Sequence, residues 1–277
     1  MHPNPDSYLQ DWNLLPDGPS IETGNAVLLP VQWRGQAAML KVSTSPEEIQ
    51  GYDLLEWWQG RGAAKVLART HHALLMERAT GTRSLAALCH AGQDEQASRI
   101  ICNVVAQLHQ ASSTQENTHT HRPPPHTLTP LQDWFQPLNQ VDIRLHPILP
   151  GARQTMRELL AEPRARVCLH GDIHHHNILD FGSRDWLAID PKGLIGERAF
   201  DYANLFCNPD AQTAIHADRF LARVNTVAQH AQLDRRRLLQ WVLAWCGLSA
   251  TWHFEDESDP TIALQVATMA AHALTAI

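Results

Sequence analysis

The sequence predicts an α+β fold, with a sheet-rich N-terminal part and a mainly helical remainder. Two observations support this prediction. Short apolar runs separated by turn residues fill residues 21–76, as expected for a small antiparallel sheet. After residue 82, apolar residues recur at helical spacing, most clearly in the segment that begins at Asp94. We therefore expect two lobes, residues 1–78 with the sheet and one helix, and residues 79–277 with most of the helices.

Composition excludes several classes of protein. The chain has 277 residues, which is enough for two modest domains or one two-lobed one. Its net charge of −7 argues against a nucleic-acid partner and is compatible with a cationic small molecule. No apolar window is long enough for a transmembrane helix, and the N-terminus lacks the pattern of a signal peptide. Five scattered cysteines favour buried, reduced thiols in a cytoplasmic protein. The sequence does not indicate an oligomeric state.

The first elements are predicted to be a lead-in and a hairpin. Residues 1–20 contain four prolines and no periodicity, which predicts an irregular segment. Residues 26–33 and 36–42 are short apolar runs joined by Arg34-Gly35, a hairpin signal. Lys41 lies near the end of the second run. A lysine in a strand is more often a solvated side chain than a functional one.

A helix is predicted to begin after Ser45. Pro46 suits the first turn, and Glu48 stands three residues after the serine, which is the spacing of a capping box. Glu48 is also the best candidate to pair with Lys41, and Glu56 or Asp53 could pair instead. The sequence leaves these alternatives open.

Two further strands are predicted at residues 66–67 and 73–76, and residues 77–81 break the pattern. Helices follow, with caps at Asp94, Asp210 and Asp234. Residues 112–130 are rich in Ser, Thr, His and Pro, which predicts a long loop that could border a site or be mere surface.

The strongest chemical signal lies between residues 167 and 190. Asp172 follows His170-Gly171, Asn177 comes five residues later, and a turn at 182–184 leads to a second strand that ends at Asp190. A hairpin of this length brings Asp190 alongside Asn177. Mg²⁺ prefers oxygen ligands such as these two, and Asp172 could orient a hydroxyl and accept its proton. The order Asp, Asn, Asp matches the catalytic loop and the later magnesium aspartate of kinases.

The chain resembles the aminoglycoside phosphotransferase family, most of all the streptomycin 6-phosphotransferase and hydroxyurea phosphotransferase group. The residues that carry the resemblance are His170-Gly-Asp172-Ile-His-His-His-Asn177 and Ile189-Asp190-Pro-Lys-Gly-Leu-Ile-Gly-Glu197. It extends from about residue 38 to about residue 255. The resemblance implies a protein-kinase-like fold and an enzyme that uses Mg²⁺ and ATP, with GTP not excluded, to phosphorylate a hydroxyl of a small molecule. Streptomycin is the expected substrate, and antibiotic resistance the expected outcome.

The resemblance also implies roles for individual residues. Lys41 would contact the nucleotide phosphates with Glu48 as its partner, Asp172 would be the catalytic base, and Asn177 and Asp190 would bind the metal. The connection that contains Glu77 and Ala79 would be the hinge that meets the adenine. The nucleotide-covering loop has a single glycine here, so a short polar turn is expected, made of Thr23, Gly24 and Asn25.

Contacts with a cationic substrate are expected from acidic residues. Glu197 follows the magnesium aspartate, and Glu255 and Asp256 begin an acidic run. Such a run is more often a solvated connection than a binding wall. Asp201 is expected to hold the backbone of the catalytic loop.

The sequence leaves three alternatives open. His170, His174, His175 and His176 could indicate a zinc-dependent hydrolase, but adjacent histidines point in different directions and rarely share one ion. The chain could be a kinase of another sugar or metabolite. It could also be a non-catalytic nucleotide-binding pseudokinase, although Asp172, Asn177 and Asp190 are all present.

Overall fold

The computed structural model describes residues 4–113 and 123–276 and has the predicted α+β fold, with its largest sheet before residue 78 and most of its helices after residue 84. The strands are β1 Leu15–Pro16, β2 Ile21–Glu22, β3 Ala26–Trp33, β4 Gln36–Ser43, β5 Val66–Arg69, β6 Ala73–Glu77, β7 Thr129–Pro130, β8 Arg166–Leu169, β9 Ile178–Asp180, β10 Trp186–Ala188 and β11 Leu194–Glu197. The helices are α1 Asp6–Asp11, α2 Pro46–Trp58, α3 Leu85–His90, α4 Asp94–Ser113, α5 Leu131–Trp134, α6 Gln136–Gln140, α7 Leu149–Ala161, α8 Ala211–Ala214, α9 Ala217–His230, α10 Arg235–Glu255 and α11 Thr261–Thr275.

The largest sheet is antiparallel and is formed before residue 78. Its order is β1-β3-β4-β6-β5, with β2 pairing β3. The predicted hairpin is confirmed, because β3 and β4 pair in register from Ala26 opposite Ser43 to Trp33 opposite Gln36. Positive φ angles at Arg34 and Gly35, 50° and 78°, make the tight turn between them.

The N-terminal segment is more regular than predicted. Residues 1–20 contain α1 and β1 rather than only an irregular lead-in. Tyr8, Leu9 and Trp12 pack against a small apolar cluster on one face of the sheet, which includes Leu40 and Leu75. The prolines interrupt this segment, but its apolar residues still cover a sheet face that water would otherwise contact.

Helix α2 joins the sheet to the helical part of the chain. Its buried residues, including Tyr52 and Trp58, belong to the large core that continues through α4, α7 and α10. The contact is close, because a Cβ at Gly51 would lie 2.2 Å from the carbonyl oxygen of Pro191. The position of α2 is therefore set by the segment that follows Asp190.

Two of the three predicted helix caps are present, whereas Asp94 is the first residue of α4 and its carboxylate pairs with Arg223 instead. Asp210 accepts a hydrogen bond from the Thr213 N–H at 2.9 Å, and Asp234 from the Arg237 N–H at 2.7 Å. The predicted loop 112–130 lies partly outside the described residues, and its end forms β7, which pairs in parallel with β11. In the described ranges, no helix has the length and apolar character needed to cross a bilayer.

Candidate active site

The loop between β8 and β9, residues 170–177, is held by a buried carboxylate. Asp201 accepts hydrogen bonds from the backbone N–H groups of His170 at 3.0 Å and Gly171 at 2.8 Å. The ring of His109 contacts the same carboxylate at 2.7 Å. Asp201 thus anchors the loop backbone, as expected, whereas the contribution of His109, distant in sequence, was not predicted.

His170 lies beneath the loop and connects its start to the residue that follows β10. Its Nε2 is 2.8 Å from the carbonyl oxygen of Ile189, and its Nδ1 accepts the Asp172 N–H at 3.2 Å. The ring stacks on Trp58 with centroids 6.3 Å apart. Because Nδ1 accepts, Nε2 carries the proton, and burial lowers the pKa of this histidine so that the ring stays neutral. His170 therefore fixes the backbone from which the Asp172 side chain extends.

Asp172 is held by two amides and retains access to solvent. Its Oδ1 accepts from the Asn204 amide at 2.7 Å, and its Oδ2 from the Asn177 amide at 3.1 Å. The side chain is 24% exposed. Burial raises the pKa of the Asp172 carboxyl above its ordinary value. The result is an oriented carboxylate that is a stronger base than a fully solvated one.

Asn177 and Asp190 meet across the hairpin of β9 and β10. The strands pair with Ala188 opposite Ile178, and the Ile189 N–H donates to the Asn177 carbonyl at 2.9 Å. The Asn177 amide nitrogen also bonds the Asp172 carbonyl at 2.9 Å, which directs the amide oxygen elsewhere. The structure thus places the Asn177 amide on Asp172 and the backbone before Asp190 beside Asn177, and the charge of Asp190 is near enough to raise the pKa of Asp172.

Lys41 connects this loop to the sheet. It lies on β4 between Leu28 and Leu74, and its Nζ contacts carboxylate oxygens of both Glu48 and Asp190. The pairing of Lys41 with Glu48 is the one predicted. Burial disfavours charge on Asp190, but the ion pair with Lys41 holds the pKa of this carboxyl below its usual value.

The predicted capping box does not form. Ser45 is the N-cap of α2, but its side chain makes no capping hydrogen bond. Its N–H instead donates to the Ser43 hydroxyl at 3.0 Å. Glu48 is buried with Lys41. An ion pair compensates a buried carboxylate for its lost hydration better than a hydrogen bond to a backbone N–H at the helix start would.

Lys192 is a second cation beside α2, and it was not among the predicted site residues. Its Nζ lies 3.1 Å from Glu47 and 3.8 Å from Glu48. Burial opposes charge on this lysine, but the carboxylates of Glu47, Asp190 and Asp172 together raise its pKa. Lys192 therefore carries its charge inside the space between Glu48, Asp172 and Asp190, which we call the cleft.

The predicted nucleotide-covering turn joins β2 to β3. The Thr23 N–H donates to the Ala26 carbonyl at 2.9 Å, and the Thr23 hydroxyl accepts the Ala26 N–H at 3.1 Å. Gly24 has open space around it, and the Asn25 carbonyl accepts a hydrogen bond from the Ser43 hydroxyl. The turn lies at the end of the sheet nearer Lys41, and its contact with a nucleotide stays a prediction.

The predicted hinge connects β6 to the helical part. The Glu77 carboxylate accepts from the Lys65 N–H at 2.6 Å and pairs with Arg184, so its side chain is already engaged. Ala79 follows, and the Gly81 N–H donates to the Asp180 carbonyl at 2.9 Å. The Glu77 N–H donates to the Lys65 carbonyl at 3.0 Å, so the Glu77 carbonyl and the Ala79 backbone are the groups left to the predicted adenine contact.

Glu197 does not line the cleft, and our prediction of a substrate contact is wrong. It is 2% exposed, and its two oxygens accept from the Arg237 guanidinium at 2.9 Å and 2.6 Å. The Arg164 N–H also donates to it at 3.0 Å. Burial alone would raise the pKa of Glu197, but the bonds from Arg237 hold it below its usual value. Glu197 is a structural anchor between β11 and α10.

Glu255 and Asp256 are exposed at the end of α10. The same helix reaches the site at Trp245, whose indole N–H donates to the Asn204 side-chain oxygen at 3.2 Å. Glu255 lies ten residues after Trp245 on α10, which is about 15 Å along the helix axis. A contact between these acids and a substrate stays a prediction.

The three successive histidines do not converge on one point. His174 lies 3.9 Å from Asp172, whereas His175 is buried with neither ring nitrogen bonded. Within the described ranges, the one group of side chains spaced for a metal is Cys89, Asp94 and His175, which uses a single histidine of the run. Asp94 in that group is already paired with Arg223. Among the residues that the structure describes, the site therefore lacks the histidine cluster that the zinc hydrolase alternative requires.

The known proteins that this chain is similar to in sequence are named as streptomycin kinases and a hydroxyurea phosphotransferase. A profile described as aminoglycoside/hydroxyurea antibiotic resistance kinase matches residues 11–257. Streptomycin 3''-kinase of Klebsiella pneumoniae is 47% identical over 253 residues, which are 90% of this chain and 91% of that protein. Streptomycin 6-kinase of Streptomyces griseus is 28% identical over 88% of this chain and 80% of that protein. Hydroxyurea phosphotransferase of Kitasatospora aureofaciens is also 28% identical, over 90% of this chain and 72% of that protein.

Solved structures share the fold at low sequence identity. A thermostable mutant of an aminoglycoside phosphotransferase, in a ternary complex with ADP and hygromycin B, aligns with a TM-score of 0.65 and 11% identity over 98% of this chain and 97% of that one. Ethanolamine kinase of Plasmodium vivax aligns with a TM-score of 0.58 and 15% identity over 91% of this chain and 81% of that one. The chain therefore has the kinase-like fold of these proteins.

Proposed function

Because the chain belongs to the aminoglycoside/hydroxyurea antibiotic resistance kinase family, we propose that it transfers the γ-phosphoryl group of ATP to a hydroxyl of streptomycin and so inactivates the antibiotic. The observation that carries the proposal is the convergence of Asp172, Asn177 and Asp190 with the Lys41–Glu48 ion pair. Phosphoryl transfer depends on positioning and on charge stabilisation, and these five side chains supply both.

Asp172 is the proposed base. The amides of Asn204 and Asn177 orient its two oxygens, and its partial exposure leaves room for an acceptor hydroxyl. The hydroxyl oxygen attacks the γ-phosphorus, the bond to the bridging oxygen of ADP breaks, and the hydroxyl proton passes to Asp172. A pKa raised by burial favours this role, because a base works best when its pKa approaches the working pH.

Lys41, Asn177 and Asp190 are the proposed phosphate and metal ligands. The oxygens of Asn177 and Asp190 fit Mg²⁺ chemically, since this ion prefers oxygen ligands and takes few from protein. Lys41 occupies only Oδ1 of Asp190, and the amide nitrogen of Asn177 is already bonded, which leaves oxygens of both residues for a cation. Bound there, Mg²⁺ would neutralise phosphate charge. Lys41 would add its charge, while Thr23, Gly24 and Asn25 would cover the phosphates and the backbone at Glu77 and Ala79 would meet the base.

The proposed acceptor is the 3''-hydroxyl of streptomycin. The support is the 47% identity to a streptomycin 3''-kinase across nine-tenths of both chains, which exceeds the 28% identity to the 6-kinases. Streptomycin carries guanidinium groups, and the net charge of −7 and the exposed Glu255 and Asp256 favour a cationic ligand.

The test is phosphorylation of streptomycin by the purified full chain with Mg-ATP. We expect one phosphate per streptomycin, located at the 3''-hydroxyl by NMR, and loss of turnover in Asp172→Ala. Asp218→Asn, an exposed aspartate on α9, is the matched control and should retain full activity. Phosphate at the 6-hydroxyl would correct the acceptor position. Turnover of another sugar or metabolite but of no aminoglycoside would contradict the substrate class, and nucleotide binding without transfer would indicate a pseudokinase.

A further inference from the structure

Lysine is rare in this chain, and its placement is uneven. The sequence has three lysines, Lys41, Lys65 and Lys192, against 19 arginines. Surface positive charge is therefore supplied almost entirely by arginine. Two of the three lysines meet in the cleft at the same carboxylate, because Lys41 contacts one oxygen of Glu48 and Lys192 lies 3.8 Å from the other. Lys65 is exposed elsewhere.

The backbone at Lys192 is held on two sides. Its N–H donates to the His170 carbonyl at 2.7 Å, which ties it to the catalytic loop. On the other side the segment packs against α2 with no room for a side chain. A Cβ at Gly51 would be 2.2 Å from the Pro191 carbonyl oxygen, and one at Gly193 would be 2.9 Å from the Gln50 carbonyl oxygen. The Lys192 side chain thus extends from a fixed base, two residues after Asp190.

The present partner of Lys192 is one that an anionic ligand can replace. Nζ lies 3.1 Å from Glu47, whose side chain is 37% exposed. Ion pairs that reach solvent are weak, because water competes for both charges and the side chains lose freedom. Lysine also has a flexible stem and a compact charge, which suits a group that changes partners.

The proposed reaction leaves a role in this cleft for a cationic side chain in addition to Lys41 and Mg²⁺. Negative charge spreads over the equatorial oxygens of the transferred group, and Lys41 is already held by Glu48 and Asp190. Among the described residues, the other cationic side chains within ion-pair distance of Asp172, Asp190, Glu47 or Glu48 are Lys192 and His174. His174 is charged only if protonated.

We propose that Lys192 is a catalytic residue whose ammonium group leaves Glu47 when ATP binds and contacts the γ-phosphoryl group during its transfer. This inference rests on the proposed function and assigns one more residue to the same site. Lys192 forms no covalent bond and keeps its proton. The bond that breaks joins the γ-phosphorus to the bridging oxygen, the bond that forms joins it to the acceptor oxygen, and the proton goes to Asp172.

The test compares Lys192→Met and Lys192→Arg with Lys65→Met as the matched control. In Lys192→Met we expect kcat to fall by about 100-fold, the scale seen when one charge-stabilising donor is removed, while the KM for the acceptor changes little. Lys192→Arg should recover part of the loss, since it restores the charge. Lys65→Met should behave as the wild type. An unchanged kcat in Lys192→Met would overturn the proposal.

A binding measurement separates this role from the proposed acceptor. Mg-AMP-PNP has a γ-phosphoryl group and Mg-ADP has none, and neither measurement needs streptomycin. Lys192→Met should weaken the binding of Mg-AMP-PNP and leave that of Mg-ADP unchanged. This result would support the role of Lys192 even if streptomycin proved not to be the substrate. Equal weakening for both nucleotides would overturn it, and so would failure of the wild type to bind either one.

A second variant distinguishes a catalytic role of Lys192 from a structural role in which its ion pair holds α2 in place. Glu47→Gln removes the 3.1 Å ion pair but keeps the Lys192 charge. If Lys192 acts on the phosphoryl group, Glu47→Gln keeps kcat near the wild-type value while Lys192→Met loses it. An equal loss of kcat in the two variants would mean that the ion pair itself is what matters, and would overturn the proposal.

Discussion

Replacement of Glu197 by glutamine separates a structural role from a substrate contact. Both oxygens of Glu197 are bonded to Arg237, and the two side chains are 3% and 10% exposed. The substitution keeps the shape of the side chain and removes its charge. Arg237 would then keep its charge inside the protein, and its further acceptors among the described residues are the Leu159 and Glu162 carbonyls. We expect a large loss of stability and an unchanged KM for streptomycin.

The expected magnitude follows from the burial of the pair. Breaking a buried ion pair from one side costs about 3–5 kcal/mol, and the retained amide oxygen of Glu197→Gln places the expected cost near about 3 kcal/mol. A chain of 277 residues has an unfolding entropy of about 0.6 kcal/mol per kelvin, so Tm should fall by about 5 °C. Glu255→Gln, an exposed glutamate on the same helix, should change stability by less than about 0.5 kcal/mol.

The pH dependence of this loss has a definite sign. Because the pKa of Glu197 is lower in the folded chain, the unfolded chain binds more protons, and the contribution of Glu197 to stability rises with pH. The contribution is complete above the unfolded value, about 4.3, and is lost as the pH falls through the folded pKa. Denaturant unfolding of both proteins from pH 7 to pH 3 should therefore show a difference that shrinks below about pH 4.5. A raised KM for streptomycin with unchanged stability would refute the structural role.

Two further substitutions probe the contact of α2 and the orientation of the base. Gly51→Ala should lower both stability and kcat, because its Cβ would lie 2.2 Å from the Pro191 carbonyl oxygen. The control Gly151→Ala, whose Cβ would meet no described atom within 4 Å, should leave stability unchanged or raise it. Equal thermal unfolding and equal kinetics for the two variants would contradict this expectation. Asn204→Ala should lower kcat by about 10-fold or more, because Asp172 loses the 2.7 Å bond that orients Oδ1. Loss of a donor to the charged form also raises the pKa of Asp172, so the acidic limb of the pH profile of kcat/KM should move to higher pH, and an unmoved limb would argue against Asp172 as the base.

Residues close in sequence could be placed by spacing alone. Asp172, Asn177 and Asp190 lie within one loop and one hairpin, so the turn between β9 and β10 determines how they meet. Lys41 and Glu48 are seven residues apart, at the end of a strand and the start of a helix, and Glu48 was the best candidate for this pairing although the sequence left two other acids open.

Residues that reach the site from distant segments could not be placed in this way. Asn204 contacts Asp172 across 32 residues, and His109 reaches Asp201 across 92. Glu197 was misplaced for the same reason, because its partner Arg237 lies 40 residues further along the chain. Nothing in a single sequence ties such pairs together, since tertiary packing alone decides them.

Lys192 shows a different limit. Its position two residues after Asp190 could be read from the sequence. Its ion-pair partners could not, because Glu47 and Glu48 of α2 lie more than 140 residues earlier. The low number of lysines in the composition was the one sequence signal that could have singled it out.

The central claim, a divalent cation held between Asn177 and Asp190 beside the Asp172 base, is tested most directly by a crystal structure of the chain with Mn²⁺ and AMP-PNP. Anomalous scattering would locate the metal. The account predicts a manganese peak at about 2.1 Å from an oxygen of each of these two residues and from phosphate oxygens of the nucleotide. A metal bound at Cys89, Asp94 and His175 instead, or a nucleotide whose phosphates lie away from Asp172, would contradict it.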